Sequence, residues 1–361
     1  MSGGVDSSVA AYLLKKQGHD VIGLTFRNWP QDCFSGAENK CCGPQAVTDA
    51  RMVAHALGIP HYVVDEIDSF QRDVIDYFVA EYRNGRTPNP CVVCNEKIKF
   101  GALLQKAQAL GADYIATGHY ARISRADVSP ASPSDLRRPG RPRHYLRKGR
   151  DEHKDQSYFL FSLRQDQLAH SLFPLGDLSK ETTRAIAAGL GLKTHGKVES
   201  QEICFVPDKD YARFLRDGVK LPDRQGEIVT RDGRLLGHHD GIQYFTIGQR
   251  EGLNLGGQKQ PLYVVALDAA ANRVIVGTGD ELMRDRFEVA NCSWLAIDEP
   301  DAPAEVTVKI RYNHKGCSAV VERVGRERVS VRLREPQRAI TPGQAAVFYR
   351  DDLVLGGGWI W

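Results

Sequence analysis

The sequence predicts an α/β fold, in which a doubly wound parallel sheet is followed by a small β-rich linker domain and a C-terminal β-barrel. Three observations lead to this expectation. Strand-like and helix-like segments alternate in the first half, short alternating runs dominate from about Gly226, and 361 residues exceed the usual size of one hydrophobic core. We expect a catalytic domain at residues 1–205, an adaptor domain at 206–280 and the barrel at 281–361.

The first half is assigned from the periodicity of its apolar residues. Strands are predicted at Asp20–Phe26, His61–Asp65 and Asp113–Thr117. Helices are predicted at Gln45–Leu57, Ser69–Tyr82, from Cys94 to Leu110, Asp155–Leu172 and Lys180–Leu190. Such alternation is typical of a sheet that binds its ligands at the carboxyl ends of the strands.

The second half is assigned from short alternating runs separated by Gly, Asp or Asn, which indicate a small barrel or sandwich. These runs are Leu262–Leu267, Arg273–Val276, Val306–Ile310, Ala319–Val324, Val329–Leu333 and Ala345–Tyr349. Two other stretches are predicted as exposed loops: Ser124–Arg143, which is rich in proline and arginine, and the segment that holds Cys33, Cys41 and Cys42.

The composition is that of an ordinary globular protein, with 42% hydrophobic and 26% charged residues. A net charge of +3 permits a nucleic-acid partner without requiring one. No apolar run reaches membrane-spanning length and no leader is visible, so we expect a cytoplasmic protein without a membrane partner. Eight unevenly spaced cysteines indicate reduced, reactive thiols rather than a disulfide framework.

The most informative motif is the Gly-rich loop, Ser2–Ser8, which immediately precedes the apolar stripe of a helix. Backbone N–H groups at a helix N-terminus bind anions, and glycine allows a close approach, so the loop predicts a phosphate site. The alternative is a turn in which Ser or Asp caps the helix. No G-x-x-x-x-G-K-[ST] motif occurs, so the usual phosphate-binding lysine is missing.

A second motif places Cys91 and Cys94 at the start of a helix, after a rigid Pro-Asn-Pro turn. The helix N-terminus and the nearby Lys97 and Lys99 predict a lowered thiol pKa and therefore a nucleophile. Half of a structural zinc site is the alternative. Cys204 lies between apolar residues, which by itself indicates a buried core thiol.

Taken together, the motifs resemble one family. The Gly-rich loop resembles the ATP pyrophosphatase signature of an adenine nucleotide α-hydrolase-like fold. Six segments in register resemble the bacterial tRNA-specific 2-thiouridylases: Ser2–Ser8, Thr87–Asn95, Ala116–Tyr120, Lys154–Phe159, Ile203–Phe205 and Thr341–Phe348.

The resemblance implies an enzyme that replaces O2 of the wobble uridine with sulfur, using ATP, Mg²⁺, tRNA and a sulfur-relay or persulfide donor protein. Cys94 matches the nucleophile and Cys204 the persulfide carrier, and the two would end the reaction as a disulfide. ATP contacts are implied for Ser2, Gly3, Gly4, Val5, Asp6, Ser7, Phe26 and Gly118. Contacts to tRNA are implied for Asn89, Pro90, Cys91, Lys154, Asp155, Gln156, Arg311 and Tyr312.

Two features depart from the family pattern. Cys91 occupies a position where many members have Asp, which brings three thiols toward one pocket and raises the hypothesis of a [4Fe–4S] cluster on Cys91, Cys94 and Cys204. In addition, a loop of this type should follow a central strand, yet only Met1 precedes Ser2. We therefore expect the true start upstream of Met1.

Two alternative functions remain compatible with the motifs. One is another ATP pyrophosphatase, either an amidating ligase or a different tRNA-modifying enzyme, which would not need Cys94 and Cys204. The other is a non-enzymatic tRNA- or metal-binding protein with a degenerate nucleotide site.

Overall fold

The computed structural model describes residues 1–28, 44–125, 144–192, 203–206, 208, 210–257, 260–325 and 327–361. The cysteines at 33, 41 and 42 and most of the predicted Ser124–Arg143 loop lie outside these ranges. The helices are α1 (Val5–Lys16), α2 (Pro44–Leu57), α3 (Ile67–Phe70), α4 (Asp76–Arg83), α5 (Pro90–Val93), α6 (Leu103–Ala109), α7 (Gln165–Ala169), α8 (Lys180–Gly189) and α9 (Tyr211–Arg213). Wider π turns span Gln71–Ile75, Cys94–Ala102 and Phe214–Gly218.

The strands of the first half form two parallel pairs and one hairpin. Their bounds are β1 (Gly23–Arg27), β2 (His61–Asp65), β3 (Ile115–Ala116), β4 (Ala121–Arg125), β5 (His144–Lys148) and β6 (Ser171–Leu172). β1 pairs with β2 and β3 pairs with β6, both in parallel, as an α/β sheet requires. The backbone of Met1 lies against β1, since the Thr25 hydroxyl donates to the Met1 carbonyl at 2.6 Å. The Gly-rich loop thus begins beside this parallel pair.

One predicted helix of the first half is wrong. Over Asp155–Leu172 the chain forms a 3₁₀ turn at Ser157–Leu160, the short helix α7 and then strand β6. The cause is the buried carboxylate of Asp155, which accepts hydrogen bonds from the backbone N–H groups of Gly149 and Ser157 at 3.1 and 3.0 Å. These local bonds compete with helix formation, an effect that apolar periodicity does not report.

The middle of the chain forms a four-stranded sheet around its own apolar core. Its strands are β7 (Gly226–Thr230), β8 (Leu235–His239), β9 (Tyr263–Asp268) and β10 (Arg273–Gly277), in the order β8-β7-β10-β9. Short 3₁₀ turns at Ile242–Tyr244 and Asp280–Leu282 flank the last two strands.

The C-terminal part is a closed six-stranded barrel, which confirms the barrel and excludes the sandwich. Its strands are β11 (Met283–Trp294), β12 (Ala304–Lys309), β13 (Cys317–Arg323), β14 (Arg328–Arg338), β15 (Ala345–Arg350) and β16 (Leu353–Ile360). The order β11-β14-β13-β12-β15-β16 closes through pairing of β16 with β11. The β4–β5 hairpin extends this sheet, with Leu353 of β16 opposite Arg147 of β5. The first and last parts of the chain therefore share one sheet.

A loop of the first part is fixed by the other two parts. The Thr87 N–H donates to the Pro342 carbonyl at 2.9 Å, and the Gln344 side-chain amide donates to the Thr87 carbonyl at 3.1 Å. The hydroxyls of Thr87 and Thr246 lie 3.1 Å apart, which adds a contact to the middle sheet. Gly343 has φ +89°, and a Cβ there would lie 2.8 Å from the Thr87 carbonyl oxygen. Only glycine permits this approach.

We predict that Gly343→Ala destabilises the barrel more than Gly325→Ala. Both glycines have positive φ, but a Cβ at Gly325 would meet nothing within 4 Å. Backbone strain alone should cost about 1 kcal/mol at Gly325, and displacement of Thr87 should bring the cost to roughly 2–4 kcal/mol at Gly343. Urea unfolding followed by tryptophan fluorescence measures the free energy of unfolding of both variants. Equal losses of this free energy would show that the contact with Thr87 contributes nothing.

Candidate functional site

The Gly-rich loop has the backbone geometry of an anion site. Gly4 is the N-cap of α1 and no side chain caps the helix, which argues against the capping-turn alternative. The hydroxyls of Ser7 and Ser8 instead donate to the Gly4 carbonyl, at 3.2 and 2.8 Å. Gly3 has φ +65°, and a Cβ there would lie 2.4 Å from the Ala46 carbonyl oxygen. Gly3 is therefore required by shape, and the backbone at the start of α1 has the form of an anion site.

Gly118 approaches the first turn of α1 from the loop that follows β3. A Cβ at Gly118 would lie 2.8 Å from the carbonyl carbon of Asp6 and 2.9 Å from the Ser7 nitrogen. The structure thus brings this predicted ATP-contacting residue to the Gly-rich loop although 110 residues of chain separate them. Phe26, at the end of β1, packs instead against the cluster that holds Cys94 and Cys204.

Asp6 forms a charged network that the sequence interpretation missed. Lys180, the first residue of α8, donates to both carboxylate oxygens of Asp6 at 2.7 and 2.8 Å. The Tyr120 hydroxyl donates to Asp6 at 2.9 Å, and the Lys180 ammonium lies 5.6 Å from the centre of the Tyr120 ring. The only sequence signal was a lysine in the first turn of a helix, a position that the helix dipole disfavours.

The cysteine motif folds as predicted at its start. Asn89 is the N-cap of α5 and accepts a hydrogen bond from the Val92 N–H at 3.4 Å, while Pro90 takes the first helical position. Cys94 is 9% exposed and belongs to an apolar cluster, against which the partly buried Cys204 packs. The aromatic members of this cluster include Phe70, Phe78, Phe205 and Phe214. The two predicted sulfur-handling residues therefore border the same apolar cluster, and both are free thiols.

The predicted lowering of the thiol pKa values is wrong. Burial raises the pKa of Cys91 to about 11 and also raises the pKa of Cys94. The positive charge of Lys99 lowers the pKa of both thiols, but this effect is smaller than the increase caused by their desolvation. Lys97 is exposed and pairs with Glu96 at 2.8 Å. Both thiols are therefore protonated at neutral pH.

Lys99 follows Cys94 by five positions within the π turns of Cys94–Ala102. In an α-helix such a residue would lie about 140° around the axis, whereas the wider π turn, with its i→i+5 bonds, brings it back toward the face of the first residue. Burial lowers the pKa of His119 well below its ordinary value, and the charge of Lys99 lowers it further. The imidazole is therefore neutral. The His119 ring accepts or donates a hydrogen bond with the Thr117 hydroxyl at 2.7 Å. The charge of Lys99 thus lowers the pKa values of Cys91, Cys94 and His119.

A site for a single metal ion is not formed by the described residues. Over those ranges, no group of three His, Cys, Asp or Glu side chains lies close enough to hold such an ion. The iron–sulfur cluster on Cys91, Cys94 and Cys204 stays a prediction.

The segment predicted to contact tRNA divides into buried and accessible residues. Asp155 is 4% exposed and its carboxylate is used within its own loop. Gln156 accepts a hydrogen bond from the Tyr120 N–H at 3.0 Å, next to Gly118. Lys154 is half-buried. Of these three residues, Asp155 is placed to shape the loop rather than to touch a ligand.

The second predicted tRNA segment, on the barrel, packs against the first. The Tyr312 ring lies 4.5 Å from the Phe159 ring, and the Lys309 ammonium lies 5.9 Å from the centre of the Tyr312 ring. Arg311 is exposed and donates to the Arg338 carbonyl at 3.2 Å. The Tyr158 hydroxyl donates to the Ala345 carbonyl at 2.9 Å and also bonds Asn89. One continuous contact path therefore joins the barrel, the 154–159 segment and the nucleophile helix.

Three family models together match most of the chain. They are described as a tRNA methyl transferase HUP domain at residues 1–208, a tRNA methyl transferase PRC-barrel domain at 212–278 and an aminomethyltransferase beta-barrel domain at 284–360. Proteins named tRNA-specific 2-thiouridylase MnmA are similar throughout. The one from Clostridium acetobutylicum is 47% identical over 99% of this chain and 97% of its own length. The one from Geobacter metallireducens is 49% identical over 100% of this chain and 95% of its own length.

The chain belongs to the tRNA-specific 2-thiouridylase family. A third thiouridylase relative, from Acidithiobacillus ferrooxidans, is 47% identical over 100% of this chain and 96% of its own length. The family resemblance and the fold class inferred from sequence are thereby confirmed. Along the described residues, no helix is both long and apolar enough to cross a bilayer.

We predict that alkylation of Cys94 depends on Lys99 but not on Lys97. A raised thiol pKa means that the thiolate, and with it the iodoacetamide rate, increases only at alkaline pH. In a Cys91→Ser background, Lys99→Met should move this profile to higher pH and slow alkylation at pH 8 by roughly three- to tenfold. Lys97→Met is the matched control, and mass spectrometry of the peptide gives the rate. If Lys99→Met and Lys97→Met gave the same pH profile of alkylation, Lys99 would not be the cation that lowers the pKa of Cys94.

Proposed function

We propose that this chain replaces O2 of the wobble uridine of tRNA with sulfur, in an ATP-dependent reaction. The observation that carries the proposal is that Cys94 belongs to an apolar cluster and Cys204 packs against the same cluster, in a chain whose full-length relatives are named thiouridylases. A ligase for a small metabolite would need neither thiol. A protein that only binds tRNA would not need the shape-restricted Gly-rich loop.

The first step would activate the base. O2 of the uridine attacks the α-phosphate of ATP, pyrophosphate leaves, and the oxygen becomes part of an AMP leaving group. The N–H groups at the start of α1, with Gly3 and Gly118 giving room, would bind the phosphates. Mg²⁺ would be bound through phosphate oxygens and stabilise the negative charge on pyrophosphate. The carboxylate of Asp6, beside this site, accepts hydrogen bonds from Lys180 on both oxygens.

The second step would deliver sulfur. The terminal sulfur of a Cys204 persulfide attacks C2, and AMP leaves with the former oxygen. The Cys94 thiolate then attacks the Cys204 sulfur, which breaks the S–S bond, leaves the sulfur on C2 and forms a Cys94–Cys204 disulfide. A reductant supplies two electrons to reopen that disulfide. Cys94 must lose its proton for this step, and Lys99 is placed to stabilise the resulting charge.

Recognition of tRNA would use both accessible segments. Lys154, Gln156, Arg311 and Tyr312 offer cationic, amide and aromatic groups of the kind that bind phosphates and stack on bases. The target uridine would leave its stack and lie near Asn89, Pro90 and Cys91, beside Cys94. A persulfide-bearing donor protein would load Cys204. We expect these reactions in the cytoplasm, where tRNA is modified.

We predict that Cys94→Ser and Cys204→Ser each reduce thiolation at least about 10³-fold and leave ATP binding intact, because each removes a sulfur that must change bonds. Cys317→Ser, on the barrel, is the control and should retain activity. Mass spectrometry of nucleosides, after incubation of unmodified tRNA with ATP, Mg²⁺ and a persulfide donor, measures the product.

Two outcomes of this assay would overturn the proposal. One is full activity of either serine variant. The other is a product with the mass increase of a methyl group, as the descriptions of the family models would suggest, instead of that of oxygen-to-sulfur exchange.

A further inference from the structure

Asp6 creates an electrostatic problem in the Gly-rich loop. Its carboxylate lies in the first turn of α1, beside the N–H groups expected to bind a polyphosphate. An uncompensated negative charge at that place would repel the ligand. The side chain of Asp6 is only one-third exposed, so solvent does not screen it completely.

Lys180 compensates this charge from a distant part of the chain. Its ammonium lies 2.7 and 2.8 Å from the two carboxylate oxygens, across 174 residues of sequence. The residue is 8% exposed, and its backbone N–H donates to the Asp151 carboxylate at 2.9 Å. The pair is therefore held by the tertiary structure and not by chance proximity of two flexible surface side chains.

Apart from its contacts with Asp6 and Tyr120, Lys180 occupies an unfavourable position for a cation. A cation in the first turn of a helix opposes the helix dipole, and a buried ammonium loses its hydration. Asp6 and Tyr120 recover part of this cost, since Tyr120 bonds the same carboxylate. The network also joins α1, α8 and the loop of Gly118, which closes against the first turn of α1.

We propose that Lys180 is the charge-compensating residue of the nucleotide site: it neutralises Asp6 so that the N-terminus of α1 accepts a polyphosphate. Lys180 acts through Asp6 and is a positioning residue. The inference rests on the proposed use of ATP. It also assigns a role to a lysine in a chain that lacks the lysine of the common phosphate-binding motif.

The test compares a charged ligand with a neutral one. Isothermal titration calorimetry of the full chain would measure ATP with Mg²⁺ and, separately, adenosine. Lys180→Gln keeps a donor for Asp6 but removes the charge, and should weaken ATP binding by about tenfold or more while adenosine changes less than about threefold. Lys180→Arg should retain ATP affinity. Lys16→Gln, at the exposed end of α1, is the control for an equal change in net charge.

A second variant decides between compensation and direct contact. In Asp6→Asn/Lys180→Gln both charges are removed, and ATP affinity should return to within about threefold of the original. Continued weak binding by the double variant would mean that Lys180 itself contacts phosphate, and would overturn the proposal. Equal losses for ATP and adenosine would mean a structural role and would also overturn it.

Two further outcomes are interpretable. If Lys180→Gln does not fold, Asp6→Asn alone decides, because compensation requires ATP to bind that variant at least as tightly as the original chain. Tight adenosine binding without ATP binding in the unchanged chain would count against the proposed function, and not specifically against Lys180.

Discussion

The hydrogen bond between the Thr87 N–H and the Pro342 carbonyl is the contact on which the site depends. It fixes the loop directly before Asn89, the N-cap of the helix that begins the cysteine motif. Gln344 donates to the next carbonyls of the same loop, at 3.1 and 3.0 Å. Because hydrogen bonds are directional, these contacts help to position the turn at Asn89 that begins the cysteine helix. The barrel therefore supports the loop from which this helix starts.

The side chains expected to meet tRNA support the same conclusion. Tyr312 of the barrel packs on Phe159, and the adjacent Tyr158 bonds both the barrel, through Ala345, and Asn89. Aromatic contacts of this kind add specific geometry to burial. A ligand that orders Tyr312 would thus also stabilise the turn that positions the nucleophile helix. RNA binding at Tyr312, as proposed, would therefore use the same packed side chains that position the helix of Cys94.

The predictions from sequence were correct where a local residue pattern determines the structure. Alternation located four of the six barrel strands, β12 to β15, and the Gly-rich loop was recognised because Gly3 is needed by local backbone shape. The helix predicted at Asp155–Leu172 failed since one buried carboxylate, that of Asp155, reorganised the backbone. Lys180 was missed because its partner is 174 residues away. The direction of the Cys94 pKa could not be predicted either, because burial by remote aromatic residues outweighs Lys99.

Burial of the thiols is consistent with the chemistry rather than opposed to it. The proposed persulfide and adenylated base would both be reactive toward water and oxidants, and an apolar cluster that includes Phe70, Phe78 and Phe205 would limit these side reactions at the cysteines. The consequence is that Cys94 rests as a thiol, with its raised pKa, and Lys99 is the nearby cation able to stabilise its thiolate. A nucleophile that is protonated at rest cannot attack a newly loaded Cys204 persulfide prematurely. Reactivity would then require a proton acceptor that arrives with the substrate, and the departing AMP phosphate has that chemistry.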